Sequence, residues 1–241
     1  MKIVELFRKK ALDNRNERSV TIAFLGDSVT QGCFETDEMQ GGYWTVFDDA
    51  YSYGNCLCKM LSKVFPSVPV NMIKAGVSGD SAPRGLARLD RDVLRYHPDL
   101  VVVCYGLNDV SAGIEGIPAY TDALKNIFER IKETGSEIIF MTPNMLATYV
   151  CEAVHLGVAR EFTEKMCELQ NTGVMDLYME SARTVCKTYG ITLCDCYKKW
   201  KVLEAAGADT TRLLANYINH PTREMSWMFA YALFETIMEM D

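Results

Sequence analysis

No apolar run in this chain approaches the roughly 18 residues that a membrane-crossing helix needs, so no membrane span is expected. Basic clusters are missing too. Lys and Arg number 25 against 32 Asp and Glu, a formal charge of −7. Nothing of the right sign gathers to neutralise a phosphate backbone, and nucleic acid is not an expected partner. The opening stretch Met1-Lys-Ile-Val-Glu-Leu-Phe-Arg-Lys-Lys10 carries its charges after a short apolar patch rather than before a long one. That is not the pattern of a secretory leader, and a cytoplasmic location is the expectation. Nine cysteines are an odd number for a disulfide framework. The two Cys-x-Cys pairs, Cys56/Cys58 and Cys194/Cys196, lack the spacing of a zinc knuckle. They read as reduced, core-filling residues, with no metal and no cofactor expected. Neither Gly26 nor the stretch Gly76 to Gly79 opens a P-loop or a Gly-x-Gly-x-x-Gly fingerprint. Repeats, linkers and low-complexity segments are likewise missing.

What is present is an ordinary globular composition, 49% hydrophobic and 24% charged over 241 residues, and a regular rhythm of short apolar runs and helical periods. Strands are expected at Val20–Leu25, Val70–Lys74, Leu100–Cys104, Glu137–Met141 and Ile191–Cys196. Leu100–Cys104 is almost continuously apolar, as a strand buried on both faces should be. Helices are expected over 1–18, 54–65, Pro83 to Tyr96, Tyr120 to Thr134, Val174 to Tyr189 and Arg223 to about Met240. Cys33 to Tyr53, rich in Gly, Asp and aromatics, reads as a loop running into a helix. Residues 145–172 break the rhythm and read as an insertion or lid. Strands alternating with helices imply one three-layer α/β domain with a parallel sheet and right-handed crossovers.

In such a sheet every turn that follows a strand lies on the same edge, where ligands bind. Four of the turns are polar or glycine-rich: Gly26-Asp-Ser28, Gly76-Val-Ser-Gly79, Gly106-Leu-Asn-Asp109 and Thr142-Pro-Asn144. His220, after the fifth strand and before the last helix, can return to the same edge. A hydroxyl, a neutral base, a glycine N–H and a side-chain amide are the parts of an acyl-transfer site. Ser28 is the candidate nucleophile.

These blocks resemble those of the SGNH hydrolases, the GDSL-type esterases and lipases. The first matches at Gly26-Asp27-Ser28 with Thr30 and Gly32, the second at Ala75-Gly-Val-Ser-Gly79-Asp80, the third at Gly106-Leu-Asn108-Asp109 and the last at His220-Pro221. The resemblance implies a flavodoxin-like fold with five parallel strands in the order 2-1-3-4-5. It implies Ser28 as nucleophile, His220 as base, and an oxyanion hole from the Ser28 and Gly79 N–H groups and the Asn108 amide. A small-molecule ester is the implied substrate. An acetyl ester of a sugar or similar small acyl group is preferred to the longer chains of a lysophospholipase or thioesterase. A ligand-binding pseudoenzyme on the same fold is the alternative. The chain departs from the pattern at Tyr217, where an Asp usually stands three residues before the histidine. Tyrosine supplies no negative charge near neutral pH. His220 is therefore held either by a backbone carbonyl, the arrangement preferred, or by Asp195 or Asp209.

Each residue also has a plainer role. Ser28 could cap a helix, Asn108 could shape a turn, and Gly79 could serve a positive φ. Asp27, Asp80 and Asp109 are expected to brace loops, and His97 to be structural. His155 is weighed as a substrate contact against a solvated loop residue, and Cys33 as a pocket residue against core. Tyr43, Trp44 and Phe47 are weighed as pocket walls against packing on the sheet.

Overall fold

The computed structural model describes residues 3–39, 42–154 and 158–240. From the amino end run α1 (Ile3–Leu12), β1 (Val20–Gly26), the single turn α2 (Ser28–Gln31), β2 (Cys33–Met39) and β3 (Gly42–Phe47). Next come α3 (Tyr53–Val64), β4 (Val70–Gly76), α4 (Ala82–Asp92), β5 (Leu100–Cys104), α5 (Ile117–Glu133) and β6 (Glu137–Met141). The chain closes with α6 (Val158–Asn171), α7 (Val174–Tyr189), β7 (Thr192–Cys194), α8 (Cys196–Ala205) and α9 (Arg223–Met238).

Five strands form one sheet in the order β4-β1-β5-β6-β7, every pair parallel. Counting only those five, this is the order 2-1-3-4-5. The middle of the sheet falls to the most apolar segment: all five residues of β5 are buried. On one side α4, α5 and α7 pack in succession; on the other α1 and α3 lie against α9. The inward face of α5 repeats every three or four residues through Tyr120, Ala123, Leu124, Ile127, Phe128 and Ile131, the stripe a covering helix requires. Phe128 meets Phe140 of β6 edge-on at 5.9 Å, and on the opposite face Tyr53 of α3 meets Phe229 of α9 at 6.3 Å. Burying each such ring contributes roughly 1.5–3 kcal/mol.

The expected loop from Cys33 to Tyr53 is instead an antiparallel hairpin, β2 on β3, followed by a short 3-10 turn into α3. The last strand is shorter than expected: Cys194 ends β7 and Cys196 opens α8, with their sulfurs 3.8 Å apart. All nine cysteines are free and eight are buried. Within 145–172, the segment up to 154 is irregular and α6 follows; His155 lies outside the described residues. Trp44 and Phe47 face solvent rather than the sheet. Among the described residues no helix is long and apolar enough to cross a membrane.

Candidate active site

Sheet register sets the height of the polar turns. Gly26 at the end of β1 pairs with Gly76 of β4 on one side and with Cys104 of β5 on the other. The turns that follow therefore begin level with one another. After Gly26, Asp27 turns the chain into α2, its Oδ1 accepting the Val29 N–H at 3.0 Å, as an N-cap does. Ser28 is thus the first residue of a one-turn helix, buried and held at the sheet edge. Gly76 permits this closeness: a Cβ there would come within 2.4 Å of the Gln31 backbone nitrogen.

His220 arrives on a turn built by Asn216. The Asn216 Oδ1 accepts the N–H groups of Ile218, Asn219 and His220 at 3.0, 2.9 and 2.9 Å. That tight turn puts Tyr217 at φ 56, in the left-handed region that non-glycine residues seldom occupy. Asn144, from the turn after β6, donates to the Asn219 carbonyl at 2.8 Å, so the fourth polar turn braces the histidine loop. Asn216 was not singled out in the sequence, although an Asn four residues before the His is the type that organises such a turn.

The imidazole lies between two oxygens. Its Nε2 is 3.0 Å from Ser28 Oγ and its Nδ1 is 2.9 Å from the backbone carbonyl of Phe34, in β2. A carbonyl can only accept, so Nδ1 carries the proton and Nε2 presents its lone pair to the serine hydroxyl. This is the tautomer a general base needs. Burial lowers the His220 pKa from its ordinary value, and the Phe34 hydrogen bond opposes part of that shift. Neither carboxylate weighed for this place is there. Asp195 accepts from Arg183 Nε at 2.9 Å and from the Thr142 hydroxyl at 3.0 Å, while Asp209 accepts from the Tyr149 hydroxyl at 2.7 Å.

Across the serine, Gly79 has φ 74 in the turn after β4, with open space where a Cβ would stand. The Asn108 side-chain amide donates to the Asp80 carbonyl at 2.8 Å, fixing its orientation with one N–H to spare. Ser28, Gly79, Asn108 and His220 line one cavity of about 270 Å³, with Ala159 and Phe162 of α6 on its wall. The irregular region thus does reach the site, through its helix. A groove of mixed lining, about 580 Å³, adjoins it, sharing Thr36, Ala159, Asn216 and Ile218 and adding Glu35, Arg212 and Arg223 beside Val154, Leu214 and Ala215.

The three aspartates brace loops. Asp80 pairs with the buried Arg88, and Asp109 Oδ1 accepts the Ala82 N–H at 2.9 Å. Burial pushes Asp27 up to about 7 and Asp109 up to about 6; the charges of Asp109 and Asp80 raise Asp27 further, and that of Asp80 raises Asp109. Cys33 is buried and does not line the cavity, and burial pushes its thiol up to about 12. His97 ends a 3-10 turn at φ 50 and does not line this cavity.

The sequence matches the GDSL-like lipase/acylhydrolase family over residues 24–227. It is 28% identical over 117 residues to an arylesterase of Vibrio mimicus, covering 48% of this chain and 56% of that protein. It is 25% identical over 131 residues to an acetylxylan esterase of Geobacillus stearothermophilus, covering 51% of this chain and 58% of the relative. Each match spans little more than half of the relative's length. A crystal structure of a catalytic mutant of an acetylxylan esterase from Geobacillus stearothermophilus superposes with a TM-score of 0.66 over 91% of this chain and 95% of that one. At 20% identity this is a likeness of fold.

Proposed function

The chain belongs to the GDSL-like lipase/acylhydrolase family, and from that premise we propose that it is a serine esterase acting through an acyl-enzyme on small acyl esters, acetyl esters of a carbohydrate foremost. One observation carries the reading: Ser28 Oγ sits 3.0 Å from a His220 nitrogen whose ring is fixed in the base-competent tautomer. In this reading Ser28 Oγ attacks the ester carbonyl while Nε2 takes its proton. The Ser28 and Gly79 N–H groups and the Asn108 amide stabilise the oxyanion. His220 returns the proton to the leaving alcohol, and the same base then activates water to release the acid. The cavity of about 270 Å³ favours a short acyl group, and the Glu35, Arg212 and Asn216 side chains in the adjoining groove favour a hydroxylated alcohol portion. The acetylxylan esterase likeness supports the carbohydrate part. Action as a single domain in the cytoplasm belongs to the same reading, supported by nine free thiols.

The test is p-nitrophenyl acetate hydrolysis by the protein beside Ser28→Ala and His220→Ala, followed by an acyl-length series and acetylated xylo-oligosaccharides. Loss of activity in both variants with folding intact is expected, with acetyl preferred to octanoyl. Equal rates in all three proteins would leave a ligand-binding scaffold; a preference for long chains would move the substrate to lysophospholipids or thioesters.

A further inference from the structure

Phe34 offers His220 only a peptide carbonyl, and a carbonyl is as well placed as the backbone that bears it. The hairpin alone does not fix it. Cys33 pairs with Phe47 and Thr36 with Thr45, but the register shifts between Cys33 and Thr36, so Phe34 and Glu35 lie in a bulge. Bulges release backbone groups from the ladder and re-aim them. Here the release lets the Phe34 carbonyl face the imidazole at 2.9 Å. Something else must hold the bulge.

Arg223, the first residue of α9, does so from three sides. Its guanidinium donates to both oxygens of Glu35, at 2.5 and 3.2 Å, and to Asp48 Oδ2 at 2.8 Å. It also lies 4.4 Å from the centre of the Phe34 ring. Glu35 follows Phe34 directly, and Asp48 follows the other strand of the hairpin. One rigid fork therefore ties both arms of the hairpin to the helix three residues after His220. Resting on the esterase reading above, we infer that Arg223 is a positioning residue: through Glu35, Asp48 and the Phe34 ring it holds the Phe34 carbonyl on His220 Nδ1. It thereby does the orienting that a carboxylate at Tyr217 would do.

The test uses the full chain labelled with ¹⁵N-histidine, as wild type, Arg223→Ala, Arg223→Lys and Glu35→Gln. Hydrolysis of p-nitrophenyl acetate is measured per active site titrated with a serine-directed phosphonate, so that unfolded protein does not count. In Arg223→Ala kcat is expected to fall roughly 10- to 100-fold with KM within about twofold, part of what a base contributes. Arg223→Lys and Glu35→Gln should fall between. The His220 resonances, assigned with His220→Ala, should show the single Nδ1-protonated tautomer in wild type and a mixture in Arg223→Ala. A raised KM with unchanged kcat would make Arg223 a substrate contact in the groove and overturn the inference. So would a fall in kcat with the tautomer unchanged. Should the wild type show no Ser28-dependent hydrolysis, the esterase reading fails, and the imidazole spectrum still decides the role of Arg223.

Discussion

Arg88 is the strongest single test of how the three turns around Ser28 are held together. It reaches from α4 into the sheet edge, buried, and every contact ties down a different piece of backbone or side chain. Nε donates to Asp80 Oδ2 at 2.8 Å, Nη1 to the Ala75 carbonyl at 2.8 Å, and Nη2 to the Gly26 carbonyl at 2.9 Å and the Tyr105 hydroxyl at 3.0 Å. Arg88→Met keeps the apolar stem and removes all of these. Asp80 is then a buried carboxylate stripped of its cation, and breaking such a pair costs about 3–5 kcal/mol. Two carbonyls lose partners as well, each of order 1 kcal/mol, but the losses share one cause and do not simply add. A total of about 4 kcal/mol is a large part of the 5–15 kcal/mol that holds a typical domain. In urea, with a slope of roughly 3 kcal/mol/M, the midpoint should fall by more than about 1 M. The double variant Arg88→Met/Asp80→Asn should recover part of the loss, because the unpaired charge is its main source. A loss below about 1 kcal/mol, or a double variant worse than the sum of the singles, would refute the reasoning.

Four further outcomes follow from the site. Because burial lowers the His220 pKa, the acid limb of kcat/KM should lie below the range of an exposed histidine, with activity rising with pH as His220 loses its proton; a limb above that range would contradict the geometry. Asp27, raised to about 7 in the fold, binds its proton more tightly folded than unfolded, so its stabilising contribution is complete below about pH 4 and is lost as pH rises to about 7. Asp27→Asn should remove that slope, gaining up to ~4 kcal/mol on wild type between those limits in urea titrations at several pH values, and an unchanged slope would show that Asp27 stays ionised. Gly76→Ala, whose Cβ would lie 2.4 Å from the Gln31 nitrogen, should push α2 off β4 and reduce activity as well as stability. Gly79→Ala meets open space and should cost only the roughly 1–2 kcal/mol of a left-handed residue, as thermal melts would show.

The sheet was legible because burial writes itself into composition. Leu100–Cys104 has no polar residue to place, as a strand buried on both faces requires, and beyond its half-buried Glu137 the strand Glu137–Met141 is likewise apolar and buried. The hairpin was not legible because Glu35, Asp37 and Glu38 interrupt the strand pattern between Cys33 and Phe47. Gly41-Gly42, between Phe34-to-Met39 and the β-prone Tyr43, Trp44 and Val46, is the turn signal that could have found it. Ser28, Gly79, Asn108 and His220 announce themselves as side chains or as a glycine, and the structure brings them to one cavity. Phe34 could not announce itself, since every residue has a carbonyl and only the fold decides which one turns toward a ring.

That distinction bears on the chemistry. A carboxylate beside an imidazole both orients it and stabilises the charge that appears when the base takes a proton, whereas a carbonyl orients it and contributes only a dipole. With burial and the Phe34 bond as the forces on its pKa, His220 is well aimed but a weaker base than a charged triad would make it. A weaker base is a stronger acid once protonated, so the balance favours the second half of the first step, in which the imidazolium gives its proton to the leaving oxygen. Orientation becomes the scarce ingredient, which is why the hold of Arg223 on the Phe34 bulge matters more here than a similar ion pair would beside a complete triad.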